Sequence, residues 1–369
     1  MYKLMTNYDE VFEAISQIPG FYIEMGPNQV AGLAGLIKEY KPKKIVELGI
    51  AAGGSTCAIM KSLELLNMTE TKVISLDLNN YFYRNIEKEI GYIFKENREE
   101  FSNYRNHTFL TGKYAVERLK EIGGGEIDLL FLDTAHVIPG EILDFLLLLP
   151  YLSENAIVAL HDTNLHNCTV KDNFGIATRV LVNTVKADKF LNDNDLNFTA
   201  FQISQNTFDS IEDVFASLLL PWGHSIEDNV LYMYREEFKK QYSSQCIAFW
   251  DSSVEAYRNK LAYKQIKRAM ESGKKVYIYG CGFCGRRLRD FLHEENWHFD
   301  GMLLSDGIEL SEFTDLIEDG EKLYHFSDVP SESEDCIILL ATIAPEVKEL
   351  LENSEYEYIG IPEKFFWSI

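Results

Sequence analysis

The sequence predicts an α/β protein: a doubly wound, mostly parallel sheet followed by a second, smaller α/β domain. Three observations carry that expectation. Between residues 44 and 161, short and continuously apolar runs alternate with helical stretches, the pattern of strands buried on both faces between crossover helices. The first apolar run passes straight into a glycine turn, Gly49-Ile50-Ala51-Ala52-Gly53-Gly54. The same strand, turn and helix order starts afresh after Lys274, with Gly280-Cys281-Gly282-Phe283-Cys284-Gly285 as its turn. A chain of 369 residues exceeds one average domain, so two are expected.

Taken in order, Val11, Phe12, Ile15 and Ile18 share one helical face and Pro19-Gly20 ends that helix. A second helix is expected over 27–40, closed by Pro42. Strands then follow at 44–49, 72–77, 108–111, 127–133 and 156–161. Helices are expected between and after them at 55–66, 83–96, 115–121 and 139–148. Beyond His166 the pattern loosens. Two late strands, 198–203 and 229–234, flank a helix over 209–219 and read as an antiparallel hairpin completing the sheet. This sets a first domain at 1–237, a charged and aromatic helical connector at 238–272, and a small domain at 273–369 with strands near 275–279, 301–305, 336–342 and 356–361. The acidic span 306–335, where Lys322 is the one lysine or arginine, reads as a solvated loop and helix face.

Composition narrows the function. Hydrophobic residues make up 46% and charged residues 25%, with a formal net charge of -23. A surface this acidic repels phosphate backbones and anionic lipid, so neither nucleic acid nor membrane is the expected partner. The first ten residues lack the basic and apolar pattern of a signal peptide. Apolar stretches such as 145–149 are far too short to span a bilayer. Six cysteines with one close pair fit free thiols in a reducing, cytoplasmic setting. The oligomeric state stays open, a homo-oligomer included.

In a doubly wound sheet, ligands sit outside the carboxyl ends of the strands. A pyrophosphate-binding turn needs a glycine where Ala51 stands, so the first turn disfavours a dinucleotide. Glu47 would repel a diphosphate but favours a ligand bearing an amine and a sulfonium. Asp77 ends the second strand, where an acid accepts hydrogen bonds from ribose hydroxyls. Asp133 and Asp162 end the fourth and fifth strands and are expected to face one crevice. Two carboxylates converging there need a proton or cation between them. Magnesium, hard and oxygen-seeking, is the natural ion, and it would lower the pKa of a bound hydroxyl.

Glu47-Leu48-Gly49 followed by Gly53-Gly54-Ser55-Thr56 resembles the first motif of class I S-adenosylmethionine-dependent methyltransferases. The resemblance implies a Rossmann-like fold, with Gly49, Gly53 and Ser55 along the methionine part of S-adenosylmethionine, Asp77 on its ribose and Gly112 bordering its adenine. Asp133-x-x-His136 with His161-Asp162-Thr163 resembles the small-molecule group that includes macrocin O-methyltransferase and the cephalosporin-hydroxylase-like proteins. That resemblance spans roughly 26–163. It implies that Asp133 touches both cofactor and metal, with Asp162 and His161 as further ligands, and that Asp133, His136 and His161 serve catalysis. Some of that group carry two consecutive acids where this chain has His161-Asp162, and imidazole suits manganese, iron or zinc better than magnesium. His136 reads as a general base or as a loop-closing hydrogen-bond donor, and His161 as ligand, base or orienter.

The second glycine turn is a complete G-x-G-x-x-G after a strand and before a helix, and Asp306 ends the next strand. Gly280, Gly282, Gly285 and Asp306 thus form a candidate nucleotide site in a small Rossmann-like domain, with an unliganded docking module as the alternative. A redox role for Cys281 and Cys284 is the minor reading. Together these features imply an O-methyltransferase acting on a small hydroxylated molecule, a sugar or glycan precursor among the candidates. Two rivals remain: a metal-dependent hydroxylase or hydrolase on the same scaffold, and a nucleotide-binding scaffold with a degenerate methyltransferase domain.

Overall fold

The computed structural model describes residues 2–167, 174–329 and 332–367. The chain divides into two compact units, Met1–Ser253 and Val254–Ile369. In the first, β1 (Tyr2–Leu4), α1 (Glu10–Ser16) and α2 (Pro27–Tyr40) lead to β2 (Lys44–Leu48) and α3 (Gly54–Leu65). Next come β3 (Lys72–Asp77), a hairpin of β4 (Tyr81–Phe82) and β5 (Asn85–Glu89), α4 (Tyr92–Glu96), β6 (His107–Thr111) and α5 (Leu119–Ile122). After these stand β7 (Ile127–Leu132), α6 (Gly140–Leu148), β8 (Leu152–His161), α7 (Ala177–Thr184), β9 (Asp188–Leu191) and β10 (Phe198–Gln202). Helices α8 (Gln205–Asp209), α9 (Ile211–Ser217) and α10 (Asp228–Gln241) follow, and the boundary between the units falls within α11 (Ser244–Glu271).

Among the described residues, eight strands form one sheet in the order β1-β9-β10-β8-β7-β2-β3-β6. Strand β2 lies parallel to both β3 and β7, and all five of its residues are buried. This is why its sequence is apolar without alternation. On one face Ile45, Val73, Leu129 and Phe131 pack under α1, α2 and α3. The order reverses between β2 and β7, which opens a crevice beyond their carboxyl ends.

The fold class is as the sequence implies, and several elements differ. The span 83–96 is not one helix but the β4–β5 hairpin and the short α4. Residues 85–89 offer no apolar face, Ile86 being 78% exposed, and Gly91, left-handed at φ 71°, starts α4 only afterwards. The span 229–234 is helical, inside α10: Val230, Leu231, Tyr234 and Phe238 are its buried residues, and that spacing is a helix face, although the run itself is rich in β-forming side chains. The antiparallel partner of β10 is instead β9, four residues in a polar stretch. Edge strand β1 is three exposed residues and leaves no periodicity to read. The expected connector is shared between the units: Trp250 is buried in the first, whereas Ala262, Ile266 and Ala269 join the core of the second.

In the second unit β11 (Lys275–Tyr279), α12 (Phe283–Glu294) and β12 (Gly301–Leu304) precede α13 (Thr314–Glu318), β13 (Leu323–His325), β14 (Cys336–Leu340), α14 (Pro345–Glu352) and β15 (Glu357–Gly360). Their order is β13-β12-β11-β14-β15, parallel at every pairing, with its reversal between β11 and β14. Strand β13 lies inside the acidic span that read as loop and helix. Among the described residues no helix is long and apolar enough to cross a membrane, and the five described cysteines are free.

Candidate active site

The turn after β2 is held from below and from the side. Gly49 adopts φ 92°, and a Cβ there would be driven into the carbonyl oxygen of Asp133. Only glycine gives this loop both the left-handed backbone and the close approach to the end of β7. Asp77 Oδ2 accepts the amides of Ile50 at 3.0 Å and Ala51 at 3.1 Å, and Oδ1 accepts that of Asn79 at 2.9 Å. A carboxylate has about four lone-pair positions, so Asp77 keeps acceptor capacity toward the crevice while it fixes the loop.

Glu47 is fully buried beneath that loop. Ser55 donates to it at 2.6 Å, Thr56 at 2.8 Å and Ser75 through a short bond. Burial pushes its carboxyl up to about 7, against the lowering effect of the three hydroxyls. It therefore shapes the turn from within and does not face a ligand, contrary to the sequence expectation. Gly53, left-handed at φ 96°, caps α3 and also stays behind the loop.

A cavity of about 370 Å³ opens above the strand ends. Gly49, Asp77, Asp133 and His136 line it. Ser55 borders a smaller recess of about 20 Å³ that shares Ala51, Asp133 and Glu24 with the main cavity. Gly112 is one residue removed, its neighbours Lys113 and Tyr114 being the lining groups. Three residues the sequence reading did not single out also matter. Glu24 stands at the wall of both recesses and holds Arg84 at 2.7 Å. Asp144 lines the cavity from α6. Glu141, fully buried, accepts the amides of Thr134 at 3.2 Å and His136 at 2.8 Å. The helical run 139–148 reads as a plain apolar helix; the signal that marks these two is an acid on its buried side.

The acids and imidazoles at the ends of β7 and β8 gather at one corner. Asp133, His136 and Asp162 each present a ligand atom within 4.8 Å of the others. His136 Nε2 lies 3.7 Å from Asp133 Oδ1 and 3.4 Å from Asp162 Oδ2. Its Nδ1 is 3.3 Å from Glu141 Oε1 but lacks hydrogen-bond geometry. Burial alone would lower the pKa of His136, but Glu141, Asp133 and Asp162 together raise it to about 10. Asp162 sits at φ 56° and accepts Asn197 Nδ2 at 2.6 Å through Oδ1, which leaves Oδ2 toward His136.

His161 faces elsewhere. Its Nδ1 meets Asp133 Oδ1 at 3.0 Å and its Nε2 meets Gln29 Oε1 at 3.0 Å. Both ring nitrogens are occupied, and the residue is buried outside the cavity lining. The sequence reading placed His161 with Asp133 and Asp162 as a ligand, with base and orienter as its alternatives; in the structure it is His136 that lies with the two acids, and His161 hydrogen-bonds Asp133 from outside that group. Two facing carboxylates with one imidazole form a donor set suited to a divalent cation.

Residues 46–163 match a family model described as a methyltransferase domain. The first unit carries a methyltransferase domain. The methyltransferase domain is also similar to solved structures. One is the O-methyltransferase from Bacillus cereus in complex with SAH, at 14% identity over 53% of this chain and 89% of that one, with a TM-score of 0.37. Another is the O-methyltransferase TomG from Streptomyces achromogenes, involved in tomaymycin synthesis and solved with SAM, at 15% identity over 55% and 93%, TM-score 0.37. The SAH-bound methyltransferase PaMTH1 from Podospora anserina matches at 19% identity over 53% and 88%, TM-score 0.36. No curated protein matches the sequence.

The second unit has a cavity of about 500 Å³ at its own strand ends, lined by Gly280 and Gly282. Gly285 packs beneath the turn, where a Cβ would strike the carbonyl oxygen of Gly280. Asp306 does not line this cavity; its Oδ1 accepts the amide and hydroxyl of Ser327 at 3.1 and 3.0 Å. The four residues of the expected nucleotide site are thus not gathered around one ligand space. Cys281 is buried and its thiol pushed up to about 12 by that burial, the opposite of an activated redox thiol.

Proposed function

We propose that the methyltransferase domain moves the methyl group of S-adenosylmethionine to the hydroxyl of a small molecule, with a divalent cation at Asp133, His136 and Asp162. The observation that carries this reading is the shared position of Asp133: it lines the cavity beside Gly49 and Asp77 and belongs to the three-residue cluster. The methyl donor and the activated hydroxyl can meet only at such a junction.

The fit of a cation rests on the donor set, with His136 Nε2 turned toward both carboxylates. A cation bound there supplies Lewis acidity that lowers the pKa of a coordinated hydroxyl. The remaining work belongs to the chain. Asp77 holds the glycine loop and has one acceptor position left for a ribose hydroxyl. The glycine turn, without a Cβ at Gly49, lets the methionine part of the donor approach the end of β7. His161 fixes Asp133 through Oδ1, the oxygen that also lies toward His136. Transfer is an in-line displacement at the methyl carbon, and its rate comes from alignment and exclusion of water. Sugars and glycan precursors are acceptors of suitable chemistry.

Calorimetry with S-adenosylhomocysteine tests the donor site. Asp77→Ala is expected to weaken binding by about 10- to 100-fold, as for lost charge-assisted hydrogen bonds. Unchanged affinity would remove Asp77, and with it this pose of the donor.

A further inference from the structure

The cavity of the methyltransferase domain has a second polar end. Past Asp77 it is bounded by Lys113, Tyr114 and Ala115, which follow β6, by Asp144 on α6 and by Tyr234 on α10. Asp77 pairs with Thr111 in the sheet, so this turn begins immediately beside the proposed ribose site. The methyl group must point the other way, to Asp133 and His136. The base of the donor therefore extends toward Tyr114, Asp144 and Tyr234.

Asp144 is ill-matched to its surroundings without a ligand. Thr134 Oγ1 donates to its Oδ2 at 3.2 Å, and no lysine or arginine among the described residues pairs with it. Lys113, the cation at this rim, lies 3.7 Å from Glu117 instead. Burial, then the field of Glu141, raises the Asp144 carboxyl to about 7. An enclosed carboxyl facing a cavity is costly unless a donor arrives with the ligand. Adenine brings one, its exocyclic amino group; a purine with a carbonyl at that position brings an acceptor, which repels.

Resting on the reading that this cavity takes S-adenosylmethionine, we infer that Asp144 reads the purine, accepting a hydrogen bond from the amino group through the oxygen that Thr134 leaves free. Asp144 is then a specificity residue for the donor and not a member of the transfer machinery.

The test is calorimetry on the full chain with S-adenosylhomocysteine and its deaminated analogue S-inosylhomocysteine. The unaltered protein is expected to prefer the adenosyl compound by about 10-fold or more. Asp144→Leu should weaken the adenosyl compound and bring the two within about threefold. Asp144→Asn, whose amide can donate to the carbonyl of the analogue, should bind S-inosylhomocysteine more tightly than the unaltered protein does, a gain that misfolding does not produce. Equal binding of both compounds by the unaltered protein, or an unchanged ratio in Asp144→Asn, overturns the inference while leaving the donor site standing. Failure of the unaltered protein to bind either compound overturns the donor reading itself, and this inference with it.

Discussion

In each unit a glycine turn follows the central strand of a parallel sheet at the point where the strand order reverses: Gly49 after β2 and Gly280 after β11. Each turn opens a cavity of several hundred Å³. Around the first, Asp77, Asp133, His136 and Asp144 point into the space. Around the second, the walls are largely apolar, Phe283 and Trp367 pack on each other with ring centroids 4.9 Å apart, and the acid of the neighbouring strand turns away to Ser327. A glycine turn makes room; the side chains ending the adjacent strands decide whether that room has chemistry. The more complete glycine fingerprint belongs to the cavity with fewer polar groups.

The largest effect expected separates the two turns. Gly49→Ala imposes an unfavourable left-handed φ and a clash with the backbone of Asp133. The cost is expected at about 2–5 kcal/mol, read as a fall in melting temperature with loss of S-adenosylhomocysteine binding. Gly285→Ala meets a similar backbone clash under the second turn and should also lower stability, yet leave that affinity within about twofold. Loss of binding in Gly285→Ala would mean that the second turn contributes to the donor site.

The next effect concerns the corner of β7 and β8. In a manganese titration followed by electron paramagnetic resonance, Asp162→Ala and His136→Ala are expected to weaken the ion by about 100-fold or more, as for lost ligands. His161→Ala, which removes the hydrogen bond that supports Asp133 but no member of the cluster, should cost about 10-fold. Asp306→Ala, at the corresponding strand end of the second unit, should change nothing. A larger loss for His161→Ala than for His136→Ala would return His161 to the ligand set.

This exchange of histidines marks the limit of what was legible. Strand ends could be read from apolar runs, so the sequence placed Asp77 and Asp133 on the cavity wall and Asp162 beside Asp133. Which way a side chain turns at a strand end depends on neighbours far along the chain. His161 is drawn inward by Gln29 on α2, and His136 is held by Glu141 at the start of α6; neither partner is visible in a local pattern. Glu47 was misplaced for a related reason: the hydroxyls that bury it, Ser55, Thr56 and Ser75, come from two other elements. The late strand at 229–234 failed differently, because a five-residue run of β-forming side chains outweighed the longer helical spacing from Val230 to Phe238.

The smallest effect lies beneath the first turn and, among the described residues, has no counterpart beneath the second. Ser75 Oγ joins Glu47 to His107 Nε2, 2.8 Å away. Burial lowers the pKa of His107 to about 3, whereas an unfolded histidine titrates near 6.5. Between those values the unfolded chain binds the extra proton, so the contribution of His107 to stability falls as pH falls from about 6.5 toward 3, by up to about 1.4 kcal/mol per unit. The raised carboxyls of Glu47 and Asp144 take up protons in the folded chain first and act in the opposite sense over pH 7 to 5, so His107 is isolated by comparison with a variant. Hydrogen exchange corrected for intrinsic rates should show peptides of β2 and β3 keeping more protection from pH 6.5 to 5 in His107→Gln, which retains a hydrogen-bonding partner for Ser75 without the titration, than in the unaltered protein, with peptides of β11 and β12 alike in both. An identical pH dependence in the two proteins would assign the acid response to groups other than His107.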